Sequence, residues 1–165
     1  MPKLPRTAAL ILIDVQRGFA DGTRGERNNP AAEGNVASLL AGWRRTARPV
    51  RHVRHISSSP GESFWPGTSG HDFKPEAMPI EDEPVFGKTV NSGFIGTSLE
   101  ASLRGADVGT VVIAGLTTNH CVSTTARMAG NLGFETYIVA DACATFGRPT
   151  VEGACALRPK CMKRP

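Results

Sequence analysis

Gly109-Thr-Val-Val-Ile-Ala-Gly-Leu-Thr-Thr-Asn-His-Cys-Val-Ser-Thr-Thr-Ala-Arg-Met-Ala-Gly-Asn131 is the stretch whose reading decides the fold. Val111, Val112, Ile113 and Ala114 make a short, uninterrupted, largely β-branched run ending at Gly115, the pattern of a strand buried on both faces of a parallel sheet. Beyond it Cys121, Thr124 or Thr125, Met128 and Leu132 recur at helical spacing, so Thr117 to His120 is expected to be the strand-to-helix turn. Cys121 then stands at a helix N-terminus, where unpaired backbone N–H groups and the helix dipole lower a thiol pKa. Open α/β sheets form their ligand crevice at the carboxyl ends of their strands, which is where this thiol falls. A nucleophile and a cysteine packed as a small hydrophobe both suit the position. To act as a nucleophile, the thiol needs a base and a cation beside it.

Working outward, Thr7 to Ile13 is a second apolar run of strand length, and it ends in Asp14, which reads equally as a cap or as a catalytic carboxylate. Val36, Leu39, Leu40 and Trp43 mark an amphipathic helix over Ala31 to Ala47, with Arg44, Arg45 and Arg48 on its solvated face. Val50 to Ile56 follows as a strand. Its His52 and His55 are three apart, point to opposite faces and are read as structural. Residues 57 to 80, rich in Ser, Gly and Pro, form a long loop of the kind that serves as lid or pocket wall. Its Phe64 and Trp65 either cover a substrate or plug the edge of the core.

Pro84 to Phe86 is a short strand leading to Lys88, for which an exposed salt bridge is the commonest fate of a single lysine. Gly96 to Ser98 opens a helix carrying Leu99 and Leu103, and Glu135 to Ala140 makes another strand ending in Asp141. The alternation predicts a three-layer α-β-α, doubly wound, mainly parallel sheet of about five strands. Neither a dinucleotide glycine fingerprint nor a phosphate loop accompanies any strand.

The 165 residues fit one domain with a sizeable core, and 40% of them are hydrophobic. No apolar run approaches the ~18 residues of a membrane span, so no membrane partner and a cytoplasmic location are expected. The four cysteines, Cys121, Cys143, Cys155 and Cys161, show no paired spacing and are read as reduced thiols. Of the net charge of +4, residues 148 to 165 account for all: five basic side chains against Glu152. A neutral body with a short basic tail lacking aromatics argues against nucleic acid.

Three separated pieces then coincide. Leu12-Ile13-Asp14-Val15-Gln16 with Phe19, Phe86-Gly87-Lys88-Thr89-Val90-Asn91-Ser92-Gly93-Phe94, and Gly115-Leu116-Thr117-Thr118-Asn119-His120-Cys121-Val122 with Thr125-Ala126-Arg127 resemble, in order and spacing, the isochorismatase-like cysteine hydrolase family. The resemblance implies Cys121 as nucleophile, Asp14 as proton acceptor and Lys88 as the cation supporting the thiolate. It also implies a cis peptide between Leu116 and Thr117, with the Thr117 and Cys121 amides as an oxyanion hole. Gln16, Phe19, Phe64, Trp65, Phe94 and Asn119 are expected to line the substrate pocket.

The implied reaction is attack of Cys121 on an amide-type carbonyl of a small molecule, through a thioester acyl-enzyme. Nicotinamidases of this family usually carry an aspartate and two histidines as a metal site after the second strand. Here that segment reads Arg54-His55-Ile56-Ser57-Ser58-Ser59-Pro60, without the aspartate-any-histidine pattern, so no metal and no other cofactor is expected. The stretch Gly115 to Gly133 also looks like that of streptothricin hydrolase. A homo-oligomer is expected, as is common in the family.

The resemblance stops near residue 146. Residues 147 to 165 hold three prolines, two cysteines and little amphipathic period, where the family continues with a helix and a sixth strand. The expected organisation is a hydrolase domain over 1 to 146 and an atypical basic tail over 147 to 165, a truncated or frameshifted end that leaves Glu135 to Ala140 as a bare sheet edge. The competing reading is a binding or interaction protein that keeps the pocket and has lost activity.

Overall fold

A computed structural model describes residues 4–20, 22 and 24–147 of the chain. Five strands, β1 (Ala9–Ile13), β2 (Val50–His55), β3 (Val85–Lys88), β4 (Thr110–Leu116) and β5 (Glu135–Ala144), form one sheet in the order β3-β2-β1-β4-β5. Every neighbouring pair is parallel. All five residues of β1 are buried, as expected of a strand covered on both faces. Ala9, Ile11 and Ile13 enter one apolar cluster, and Leu10 and Leu12 enter a second one on the opposite face.

The helices divide accordingly. α1 (Ala32–Arg45) packs Val36, Leu40 and Trp43 against Leu10, Leu12, Val50 and Val112. On the opposite face α2 (Leu99–Arg104) and α3 (Ser123–Asn131) pack Leu99, Leu103, Ala126 and Ala129 against Ile11, Ile13, Val111 and Ile113. This is the three-layer, doubly wound arrangement that the sequence predicts. From β1 the chain winds outward through β2 and β3 on one side, and returns to β4 and β5 on the other. The switch point, where such sheets open a crevice, lies between the carboxyl ends of β1 and β4.

Gly115 is required there. Its φ is 127°, and a Cβ would lie 2.1 Å from the Ile13 carbonyl oxygen, so a side chain would push β4 off β1.

Two features differ from the sequence reading. β5 does not stop before Asp141 but runs on to Ala144, because a bulge lies within it: Ile113 pairs with Ile138, whereas Gly115 pairs with Cys143. Side-chain amides take up carbonyls that the irregular stretch turns outward. Asn29 Nδ2 donates to Asp141 O at 2.9 Å and to Cys143 O at 2.7 Å, and Asn35 Nδ2 donates to Asp141 O at 2.6 Å. Arg44 is likewise no solvated end of α1. It grips both Glu83 carboxylate oxygens, at 2.8 and 2.7 Å, and ties the helix to the approach to β3.

The expected tail lies, apart from Gly147, outside the described residues. Among the described residues no helix is long and apolar enough to cross a membrane.

Candidate active site

Three strand ends supply the centre. Asp14 directly follows β1, Lys88 is the last residue of β3, and Cys121 lies shortly beyond β4. Asp14 adopts φ 50°, a left-handed conformation that an aspartate tolerates. Its N–H donates to Val53 O at 2.8 Å, which fixes the residue against β2. The Leu116–Thr117 peptide is cis, as the family resemblance implies. After it the chain makes one π-helical turn, Thr118–Val122, in which Val122 N donates to Thr117 O at 3.2 Å, and α3 begins at Ser123. Cys121 therefore lies inside a widened turn ahead of α3, a local form common at functional positions.

Asp14 and Lys88 are both buried, and their side chains have no exposed surface. Lys88 Nζ donates to Asp14 Oδ2 at 2.6 Å and to Cys121 Sγ at 3.3 Å, and stands 3.5 Å from His55 Nδ1. Acid, amine and sulfur thus meet around one nitrogen. Lys88 is no exposed lysine and Asp14 no helix cap. Asp14 Oδ1 is buried without a hydrogen-bond partner, a lone pair left available beside the cluster.

The electrostatics overturn one expectation. Burial pushes the Cys121 thiol up to about 12, the Asp14 charge adds to this, and Lys88 opposes it. Desolvation disfavours the thiolate by more than Lys88 favours it, so the thiol is held protonated near neutral pH. Burial also raises the Asp14 carboxyl, against the pull of Lys88. His55 is held down at about 4, first by burial and then by the Lys88 charge, and is neutral at pH 7.

A cavity of about 580 Å³ opens onto the sulfur. Of the pocket residues expected from sequence, Phe19, Phe64 and Asn119 line it, together with Asp14, Thr117 and Cys121. Three others do not. Gln16 is buried beneath the floor, where it accepts from His55 N at 2.8 Å and donates to His55 O and His71 O. Phe94 is a core residue stacked on Phe134, with centroids 6.1 Å apart. Trp65 sits half-buried in the turns of the 57–80 loop, away from the cavity, while Phe64 next to it faces inward.

Sequence reasoning missed Arg24, His55, Asn91, His120, Thr145 and Phe146, all of which line the cavity. His55 carried a usable signal: it pairs in register with Lys88 at the carboxyl ends of parallel strands. His52 is structural as expected, fully buried with Nε2 2.8 Å from Glu83 Oε2.

An isochorismatase domain model matches residues 8–159 of the chain. The protein belongs to the isochorismatase family. It is 50% identical over 139 residues to an uncharacterised isochorismatase family protein, YrdC, of Bacillus subtilis, across 84% of this chain and 74% of that one. It is 30% identical to the nicotinamidase/pyrazinamidase of Mycobacterium tuberculosis, across 88% of this chain and 91% of that protein. Among solved structures, a protein of the isochorismatase family from Chromobacterium violaceum superposes with a TM-score of 0.90 at 42% identity, covering 94% of this chain and 80% of that one. The reaction class is hydrolysis.

Proposed function

We propose that this isochorismatase-family hydrolase cleaves the C–N bond of a small amide-type substrate by cysteine catalysis, with Cys121 as nucleophile, Asp14 as proton acceptor and Lys88 as the cation between them. The observation that carries the reading is one buried ammonium in hydrogen-bond contact with both the carboxylate and the sulfur, at the wall of an open cavity. A relative bearing an amidase name supports C–N chemistry.

In this mechanism the Cys121 proton passes to Asp14 as the sulfur attacks the carbonyl carbon. The oxyanion is met by the Thr117 and Cys121 amides. The tetrahedral adduct collapses, the C–N bond breaks, and the amine leaves with the proton from Asp14. A thioester remains on Cys121. Asp14 then takes a proton from water, the hydroxide adds to the thioester carbonyl, and Cys121 leaves with that proton as the acid is released. Burial suits Asp14 to this work, because a raised carboxyl is a stronger base than an exposed one.

Lys88 keeps its charge and holds acid and sulfur in register. The reading calls on no metal: the segment after β2 lacks the aspartate-any-histidine pattern, and among the described residues no His, Cys, Asp and Glu side chains gather into a metal-binding group.

The test is a panel of small amides followed by ammonia or amine release, with acid-quenched protein mass and Cys121→Ala as control. Release by the wild type, with an acyl mass on Cys121 that the variant lacks, is the expected result. Release at equal rate by Cys121→Ala, or none from any amide, overturns the proposal.

A further inference from the structure

The cavity presents oriented hydrogen-bond donors to whatever occupies it. Thr145 Oγ1 donates to Asn119 Oδ1 at 2.5 Å. Thr145 is itself clamped: its N–H donates to Asn28 Oδ1 at 2.7 Å and its carbonyl accepts from Asn28 N at 3.0 Å. With its oxygen engaged by Thr145, the exposed Asn119 carboxamide offers its NH2 to the cavity that it lines.

His55 is oriented by the same logic. An ammonium can only donate, so the nitrogen facing Lys88 Nζ, Nδ1, is the unprotonated one, and Nε2 carries the hydrogen. Among the described residues the only carboxylate lining the cavity is Asp14, whose side chain has no exposed surface and whose charge is already matched by Lys88.

We infer that the acyl side of the substrate carries a hydrogen-bond acceptor, a carboxylate or a second carbonyl, and not an ammonium group, with Asn119 as the donor that recognises it and Thr145 as the residue that positions Asn119. The inference rests on the amidohydrolase reading of the same site. A donor wall rewards an acceptor and leaves an ammonium desolvated without a partner, and discrimination of this kind is worth about tenfold or more.

Three amides of similar length test it: succinamate, butanamide and 4-aminobutanamide. Their binding to the Cys121→Ala protein is measured by calorimetry, and their turnover by wild type as kcat/KM. Succinamate is expected to bind about tenfold or more tighter than 4-aminobutanamide, with butanamide between them. Asn119→Asp should reverse that order. Thr145→Val should raise KM for succinamate far more than it lowers kcat, and Thr145→Ser should restore it. Equal binding of the three, no binding of any, or tightest binding of the ammonium compound to the unmutated pocket overturns the inference. Ranked binding without turnover upholds it and sinks the proposed chemistry, whereas equal kcat/KM for all three upholds the chemistry and sinks this inference.

Discussion

Cys121 and Cys143 lie in the same apolar cluster, both free and both buried. Burial raises both thiols, to about 12 for Cys121 and about 11 for Cys143. By residue type, burial and the direction in which their thiols are shifted the two are alike. Their surroundings differ. The Cys143 sulfur sits in the last pairs of β5 beside Gly115, whose backbone N–H bonds to it. The Cys121 sulfur meets a buried ammonium and borders an open cavity. What sets Cys121 apart is thus an adjacent carboxylate, an adjacent ammonium and a way in, and the proposed mechanism draws on these rather than on a thiolate held ready. In the proposed mechanism the proton leaves Cys121 during attack, not before it.

The sharpest way to break the comparison is to delete each sulfur in turn. Cys121→Ala should lower amide hydrolysis by about 10³-fold or more, since no other nucleophile is in place. Cys143→Ala should leave the rate within about threefold and cost about 1 kcal/mol of stability in urea unfolding, from lost packing. Comparable losses of rate from both would mean that the geometric distinction is empty.

Asp14→Asn comes next, with an expected fall of about 10²- to 10⁴-fold in kcat. The same variant should make the Cys121 thiol more acidic, because the carboxylate charge is one of the causes of its rise. The pH dependence of iodoacetamide labelling, read by mass mapping, should therefore shift to lower pH at Cys121 and stay in place at Cys143. Labelling that shifts equally at both sulfurs would remove Asp14 from the vicinity of the nucleophile.

Lys88→Met leaves a buried carboxylate without its partner, at a cost of about 3–5 kcal/mol near neutral pH. Without the ammonium the Asp14 carboxyl rises further, so the variant should regain part of that stability as the pH falls and the group protonates. Denaturant midpoints across pH check both statements. Labelling of Cys121 should slow as well, since Lys88 is what lowers that thiol.

The sequence pointed to Asp14 and to the first of these sulfurs as candidates because strand ends announce themselves. A continuous apolar run such as Leu10 to Ile13, broken by Asp14, marks a buried parallel strand and its carboxyl end at once. The strand pattern alone left Asp14 equally a cap and Lys88 an exposed lysine, and it was the resemblance of three separated motifs to the family that implied Asp14, Lys88 and Cys121 as one group. The pocket wall was less legible. Thr145 and Phe146 follow a bulge that side-chain amides from before and within α1 support, and nothing local in Val139 to Cys143 signals that the strand resumes after Asp141. Gln16 and Phe94 lie in motifs that do touch the site, yet a motif does not say which of its members face the cavity and which hold the floor. The thiol pKa was misjudged because helix position was visible in the sequence and burial was not.

The smallest expected effect separates the scaffold from both sulfurs. Burial alone would raise the Glu33 and Glu83 carboxyls, but hydrogen bonds from Arg27 and Lys74 to the first, and from Arg44 and His52 to the second, hold each at about 2. A folded-state pKa below the unfolded value of 4.5 contributes stability above that pH, and the contribution drains away as pH falls from 4.5 toward 2. His55, depressed to about 4 from 6.5, adds a loss of the same sign at the higher-pH end of this limb. The thiols titrate far above this window, so Cys121→Ala and Cys143→Ala should share one acid-unfolding limb, followed by circular dichroism, while Glu33→Gln flattens it below pH 4.5. An acid limb that moved with Cys121 alone would tie the scaffold ion pairs to the catalytic cluster, and the two cysteines would then differ in the fold they support as well as in the groups they touch.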